Sequence, residues 1–441
     1  MSTLHDFLHK GSFSSLQARL LEMNPVDLAR ELEQMERGEM LMVFRLMPKD
    51  LAAAVFTYLD SSLHQHIVES ITAHEIRELI DEMFIDDAVD LLEELPSNMV
   101  RAIINNTSPS TRSLINAFLK YPENSAGSLM TVEFVGLYED MSCKDALELI
   151  RHSGVDKETI YTCYVTDKSR HLTGAVSLRR ILLSDNDCLI SEIMHSSVIS
   201  VHTSEDQEEV AKKFQLYDLL AMPVVDKEGR IVGIITIDDI VDVIEAENTE
   251  DMEIMAALHP SENEYMKTGV WELSRNRIVW LTILMISATF TGMIISHYGE
   301  MLQQVVVLAA FIPMLMDTAG NCGSQAATLI IRGMAVGEIH LKDWLKIVWK
   351  ELRVGCLVGL ALAALNFARL QIFADNNLMI DLCVTITLFM TVLLAKTIGC
   401  ILPIIAKSCK LDPALMASPL ITTIVDALSL LIYFAVAQTL L

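Results

Sequence analysis

The spacing of apolar positions changes twice along the chain. Between residues 4 and 120 they recur every three to four residues, as in Ile76, Leu79, Ile80 and Met83, which predicts consecutive short amphipathic helices. Leu46-Met-Pro48-Lys-Asp-Leu-Ala returns loosely as Leu95-Pro96-Ser-Asn-Met-Val-Arg, so the helices are expected to stack as repeated hairpins in an all-α superhelical domain. From about residue 126 short β-rich runs alternate with helices. Thr159–Thr166 and Ala221–Val225 read as strands leading into the polar turns Asp167-Lys-Ser-Arg and Asp226-Lys-Glu-Gly229. Gly174–Ser177 and Gly233–Thr236 follow as return strands, each ahead of a helix. Beyond residue 270 the pattern becomes long uncharged runs. Five are long enough to cross a bilayer, at about 278–299, 302–330, 354–374, 380–406 and 413–440.

A mean hydropathy of +0.38 beside a net charge of −25 is consistent only if the two properties occupy different parts of the chain. Most charge lies before residue 270, which predicts a soluble module followed by a membrane module. Met1-Ser-Thr-Leu-His-Asp lacks the basic, apolar character of a secretory leader, so the soluble part is expected in the cytoplasm. Lys267, Arg275 and Arg277 precede the first run, Arg332 to Arg353 separate the second and third, and Lys407 and Lys410 separate the fourth and fifth. The positive-inside rule then places the C-terminus outside a multi-pass protein of the cell (inner) membrane, with Arg369 the exception among the opposite loops. The eight cysteines form no CxxC pair and are expected reduced and structural. A surface this acidic argues against nucleic acid and for cations as partners.

The strand, turn, strand, helix unit occurs twice and resembles a tandem pair of cystathionine-β-synthase (CBS) domains. The expected boundaries are an acidic helical-repeat domain over 1–125, CBS domains over 126–195 and 196–245, an acidic connecting helix over 246–270 and a five-helix membrane domain over 271–441. In the CBS family a Thr or Ser and the Asp three residues on hold an adenine nucleotide. Thr236 and Asp239 match that pattern, whereas the first copy has Ser177 followed by Arg180. A helix-capping role accounts equally well for Thr236 taken alone. The connector, Asp238, Asp239, Asp242, Glu245, Glu247, Glu250, Asp251 and Glu253, is matched by no Lys or Arg between Ile231 and Met266. Like charges at helical spacing oppose one another, and divalent cations would complete the segment; a solvated connector is the plainer alternative.

Of the charges within the spans, three need explanation: Asp317, Lys396 and Asp426. Asp426 is the only charged side chain from Pro413 to the end of the chain, and a carboxylate at that depth costs on the order of 2.5–3.5 kcal/mol. At about 100° per residue Ser418, Thr422, Asp426, Ser429 and Tyr433 form one polar stripe, either a protonated structural acid in a bundle or an ion path. Asp317 opens Asp-Thr-Ala-Gly320-Asn321-Cys-Gly323-Ser-Gln325, where glycines either allow close helix packing or interrupt the span and expose carbonyls. Lys396 is expected to snorkel or to pair with a carboxylate. Carboxylate, carbonyl, hydroxyl and amide oxygens are a hard ligand set suited to Mg²⁺, Ca²⁺ or Mn²⁺, and a single aspartate suits a largely hydrated Mg²⁺.

The order of domains, Gly320-Asn-Cys-Gly-Ser-Gln-Ala-Ala-Thr-Leu-Ile-Ile-Arg332-Gly and Leu411-Asp-Pro413-Ala…Ser418-Pro419-Leu…Asp426 together resemble the MgtE magnesium channel family over nearly the whole chain. The resemblance implies a homodimer with its pore on the two-fold axis between the second and fifth spans. Asp426 would be the pore aspartate, and Gly320, Asn321, Gly323, Ser418 and Thr422 would line the path. It also implies regulatory Mg²⁺ bound by Asp206, Glu208, Asp218, Asp239, Asp242, Glu247, Glu250 and Asp251, with Asp87 and Asp90 as further candidates. Some relatives have Asn where this chain has Ser418, which changes an amide to a hydroxyl at that level.

The expected function is therefore Mg²⁺ uptake through a channel that closes when cytosolic Mg²⁺ is high, tuned by ATP or another adenine nucleotide. A Co²⁺ or Mn²⁺ transporter and a non-conducting, membrane-anchored metal or nucleotide sensor are the alternatives. No nucleophile elbow, zinc helix or phosphate loop suggests an enzyme.

Overall fold

The computed structural model describes residues 13–261, 265–266, 268–373, 377–416 and 418–441 with Leu4 and Leu8, giving only the backbone at Phe13, Ser61, Glu94 and Ser418. Two compact units result, one ending at Ile244 and the other beginning at Glu245.

The first unit opens with α1 (Phe13–Glu22), α2 (Pro25–Glu33), α3 (Arg37–Leu46), α4 (Lys49–Phe56), α5 (Ser61–Ser70), α6 (Ala73–Asp81), α7 (Ile85–Glu94), α8 (Ser97–Asn106) and α9 (Pro109–Phe118). Polar N-caps start several of these helices: the Asn24 and Asp60 side chains accept from Val26 N and Leu63 N, and Thr72 with Glu75 closes a capping box. Pro48 and Pro96, the echoed prolines, both sit at N-caps, of α4 and α8. From α2 to α9 each helix packs on the next but one, producing the superhelix.

The duplicated module forms two three-stranded sheets of identical topology. β1 (Phe134–Tyr138), β2 (Thr159–Thr166) and β3 (Leu172–Ser177) pair parallel then antiparallel, with α10 (Cys143–Ser153) crossing between β1 and β2 and α11 (Leu178–Leu183) and α12 (Ile190–Ile193) after β3. β4 (Val201–His202), α13 (Gln207–Tyr217), β5 (Ala221–Val225) and β6 (Ile231–Thr236) repeat that order. The two predicted turns are built alike. Asp167 Oδ1 accepts from Ser169 N and His171 N, and Asp226 Oδ1 from Glu228 N and Arg230 N. The copies interlock, since Thr131 exchanges backbone hydrogen bonds of 2.8 Å with Ile234, and Ile231 N bonds Arg170 O. The N-terminal helices and the second copy share one apolar core, running from Leu16 to Val243.

α14 (Ile237–Met255) starts directly from β6. The connecting helix is thus not a separate segment over 246–270: it continues the last helix of the second CBS copy and stops at Met255, and the described residues between 256 and 269 are not helical.

Among the described residues five helices are long and apolar enough to cross a membrane, within Val270–His297, Val306–Ala335, Leu341–Phe373, Leu378–Ser408 and Pro413–Leu440. They contain α15 (Val270–His297), α17 (Ile312–Ala335), α18 (Trp344–Phe373), α19 (Leu378–Ser408) and α20 (Ser418–Leu440), with α16 (Gly299–Gln304) between the first and second spans. The third span starts ahead of its predicted limit because Lys346, Lys350 and Arg353 dilute hydropathy without stopping the helix; Arg353 lies 5.8 Å over the Trp349 ring. The fourth span is the hub, packing on the second, third and fifth.

The second span is not interrupted. α17 runs unbroken through Gly320 and Gly323, and both are buried. A Cβ at Gly320 would lie 2.9 Å from Thr422 Cγ2, and one at Gly323 2.8 Å from Ile421 Cγ2, while Gly399 of the fourth span lies directly against the Gly323 carbonyl. The glycines therefore serve close three-helix packing, the small-residue seam, and do not expose carbonyls.

Candidate functional site

In the membrane unit α17 and α20 run antiparallel in contact, Gly320 against Thr422 and Gly323 against Ile421 and Val425. Asp426 is half-buried in this arrangement, and its Oδ1 is buried without a hydrogen-bond partner. Asp317 of α17 lies within electrostatic range of it. An acceptor removed from water and left unpaired is costly, which marks a place where a cation or its water shell fits.

The stripe read along α20 divides in two. Ser429 Oγ donates to Val425 O at 2.6 Å and Tyr433 Oη to Leu308 O at 2.9 Å, both fully inside the subunit, so this end is structural. Thr422 and Asp426 remain partly accessible, and the Ser418 side chain lies outside the described residues.

A second stripe was not recognised as such in the sequence. Asp317, Asn321, Gln325, Thr328 and Arg332 of α17 are all exposed and fall within about 80° of one another on the helix, opposite the buried Leu315, Ala319, Ala326 and Ile330. Of the three α17 residues expected to line a path, only Asn321 lies on this face; Gly320 and Gly323 face inward. Five polar groups toward lipid would be untenable, so the face requires water or a second protein surface. The spacing is present in the sequence. Lys396 neither snorkels nor pairs with a carboxylate: it is 5% exposed and donates to Gln325 Oε1 at 3.4 Å.

In the first unit the fold gathers carboxylates from distant positions. Asp86 and Asp87 at the start of α7, Glu133 before β1, Glu158 before β2, and Asp238 and Asp239 at the start of α14 act on one another through their charges. Burial, then repulsion from Asp87 and Asp239, pushes Asp86 up to about 9. Burial and the Asp239 and Asp238 charges raise Asp87 to about 6, and burial with Asp238 and Asp239 raises Glu158 to about 7. Asp239 is raised by burial, although its Oδ2 accepts the Thr236 hydroxyl at 2.7 Å. Among the described residues no three His, Cys, Asp or Glu side chains converge closely enough to ligate a bare ion. Dispersed, mutually repelling carboxylates instead suit Mg²⁺ that keeps its waters.

Of the predicted regulatory residues, this cluster includes Asp87 and Asp239. Asp206 caps α13 by accepting from Glu208 N at 3.0 Å, Glu208 pairs with Lys212 at 2.9 Å, and Asp218 ends α13 in the left-handed region at φ 51°. Asp90, Asp242 and Glu250 are exposed, and Glu247 and Asp251 half-buried. Asp86, Glu133, Glu158 and Asp238 were missed as members. Asp238 opens the acidic connector already noted and Asp86 adjoins the candidate Asp87, whereas nothing local marks Glu133 or Glu158.

The cluster makes a pH prediction. In the folded state Asp86, Asp87 and Glu158 titrate above their ordinary range, so the folded state binds more protons, and stability falls as pH rises through about 6 to 9. In full-length protein free of divalent ions, the thermal midpoint should drop over that window by several degrees, and millimolar Mg²⁺ should restore it at the alkaline end. A midpoint flat in both pH and Mg²⁺ would contradict the cluster.

Thr236 is 5% exposed and its hydroxyl donates to Asp239 Oδ2, so little of it is open to a ligand in this arrangement. An open cleft of about 710 Å³ lies instead beside the first copy, lined by Tyr161, Thr162, Ser177, Arg179, Leu182 and Leu220, with the Tyr161 ring 70% exposed.

These features coincide with known proteins. The family model for the MgtE divalent cation transporter matches residues 312–436, that for the MgtE intracellular N domain 23–124, and that for the CBS domain 126–186 and 190–246. The magnesium transporter MgtE of Thermus thermophilus is 36% identical over 443 residues, covering 100% of this chain and 98% of the relative. That of Bacillus subtilis is 30% identical, covering 98% and 95%. Among solved structures, the cytosolic domain of the Mg²⁺ channel MgtE in complex with ATP aligns with TM-score 0.52 at 35% identity, over 55% of this chain and 98% of that one. The soluble part of a magnesium transporter aligns with TM-score 0.54 at 29% identity, over 55% and 96%. Five apolar helices joined to a helical domain and a CBS pair define a membrane-spanning protein of the divalent cation transporter class. The chain belongs to the MgtE family.

Proposed function

We propose that this protein carries Mg²⁺ across the cell membrane as a homodimer, along a path between the second and fifth spans, and that cytosolic Mg²⁺ closes the path. The observation that carries the reading is the exposed polar face of α17 beside Asp426, whose Oδ1 is buried and unpaired. A two-fold copy would turn two such faces toward one another and remove both from lipid. Two aspartates would then hold one hydrated divalent ion through its water shell, strongly enough to admit it and weakly enough to release it. The N-terminal and CBS domains lie in the cytoplasm on this reading, and the C-terminus outside.

Closure follows from charge. At low Mg²⁺ the carboxylates gathered around Asp87 and Asp239, and those along α14 from Asp242 to Asp251, repel one another; at high Mg²⁺ they are neutralised and the closed arrangement is favoured. Closing requires tighter Mg²⁺ binding by the closed state, since equal affinity shifts nothing. ATP is the proposed modulator. The Tyr161 ring offers a stacking face and Arg179 a phosphate partner in the open cleft.

The test is Mg²⁺ flux into proteoliposomes against Mg²⁺ on the cytosolic side, with and without ATP. Flux should be high at low Mg²⁺ and shut down steeply as it rises. ATP should shift the closing concentration about threefold or more, and Tyr161→Ala should remove the shift. Absence of Mg²⁺ flux at any concentration would leave a non-conducting sensor, and stronger competition by Co²⁺ or Mn²⁺ would reassign the cargo.

A further inference from the structure

Lys396 is the buried ammonium of the membrane unit that the proposed path does not use. It lies on α19, 5% exposed, with its Cβ 3.5 Å from where a Cβ on Gly355 of the third span would stand. Among the described residues no carboxylate pairs with it within 4 Å; its partner is Gln325 Oε1 at 3.4 Å. Glu351, a buried carboxylate one helical turn from Gly355, forms no ion pair with it. An uncompensated ammonium at membrane depth is expensive to retain, and such groups mark functional positions.

Its partner lies on the path. Gln325 is exposed on the same face of α17 as Asp317, Asn321 and Thr328. Lysine has three donors and no acceptor, so only the amide oxygen can face it. With Oε1 turned to Lys396, Gln325 offers its NH₂ and not a carbonyl to whatever occupies the path. Because α17 and α20 are antiparallel, with Gly320 at Thr422 and Gly323 at Ile421, Gln325 stands on the side of Asp426 toward the N-terminus of α20. A divalent ion leaving Asp426 in that direction passes Asn321 and Thr422 and then meets a fixed positive charge.

We propose that Lys396 is a positioning residue of the ion path: it fixes the Gln325 amide with its oxygen turned away from the path and, by its charge, weakens cargo binding at the Gln325 level so that an ion coming from Asp426 is released. A site that holds a dication between carboxylates must also let it go, and a nearby fixed cation supplies that bias without a moving part. The inference rests on the conduction reading above.

The experiment measures Mg²⁺ flux into proteoliposomes against external Mg²⁺, with the cytosolic side kept Mg²⁺-free so that the regulatory region does not intervene. Lys396→Gln should lower the half-saturating concentration about tenfold while reducing the maximal flux. Gln325→Glu, at an exposed position and therefore tolerant of change, neutralises the ammonium from the path side and should lower the half-saturating concentration in the same direction. A purely structural Lys396 would reduce the amount of folded protein and the maximal flux and leave half-saturation at the wild-type value. If Lys396→Gln does not fold, Gln325→Glu decides. Wild-type half-saturation in Gln325→Glu, or in folded Lys396→Gln, overturns the proposal. Failure of the conduction reading looks different, because the wild type itself then carries no Mg²⁺.

Discussion

Replacing Asp426 by Ala is expected to abolish Mg²⁺ flux, a loss of about 100-fold or more, corresponding to roughly 2.7 kcal/mol removed from cargo stabilisation. The folded protein should survive the change. Asp426 Oδ1 has no hydrogen-bond partner, so truncation leaves no orphaned donor behind, and removing an unpaired buried carboxylate relieves a cost. Asp426→Asn separates charge from shape: the amide keeps the volume and loses the attraction for a dication, and flux should stay at least about tenfold down. Proteoliposome flux with a size-exclusion check on folding measures both. Undiminished flux in folded Asp426→Ala would remove the pore assignment, and the exposed polar face of α17 would then need another explanation.

The second large effect concerns closing. Combined replacement of Glu247, Glu250 and Asp251 by Gln, Gln and Asn should leave the protein conducting at cytosolic Mg²⁺ levels that shut the wild type, with the half-closing concentration raised by about tenfold or more. These residues share one helix, α14, with Asp239 and Asp242, in a stretch without Lys or Arg from Ile231 to Met266. Neutral side chains remove the repulsion that opens the region and also the sites that Mg²⁺ fills to close it. Only the second loss abolishes the response to Mg²⁺, so a flat, conducting curve is the expected shape. Continued closure at the wild-type concentration would refute sensing by this helix. The Asp86 and Asp239 cluster would then be the remaining candidate, and the pH and Mg²⁺ dependence of the thermal midpoint reports on it separately.

The sequence carried local features well. The β-strands Thr159–Thr166 and Ala221–Val225 appear within the limits their composition suggests, because β-branched runs bounded by aspartate turns leave little choice. Pro48 and Pro96 marked helix starts for an equally local reason. Where a residue has two physical uses, sequence reasoning could not choose between them. Gly320 and Gly323 were compatible with a broken span and with close packing, and the choice depended on Thr422, Ile421 and Gly399, which arrive from elsewhere in the chain. The Ser429 and Tyr433 hydroxyls were compatible with an ion path until backbone carbonyls at Val425 and Leu308 claimed them. The Thr236 hydroxyl similarly turns to the Asp239 carboxylate.

By itself the sequence determined that a charged module precedes five apolar spans, that the middle of the chain is duplicated, and that Asp426 is an isolated carboxylate at membrane depth. These follow from periodicity and transfer free energy, which act residue by residue. Only the tertiary structure decided which carboxylates share a field, since Glu133 and Glu158 reach Asp87 and Asp239 through sheet pairing and helix stacking that no local spacing encodes. It also decided that Asp426 remains unpaired and that Lys396 turns to Gln325. Charge interactions depend on distance through space, and distance through space is what the fold supplies.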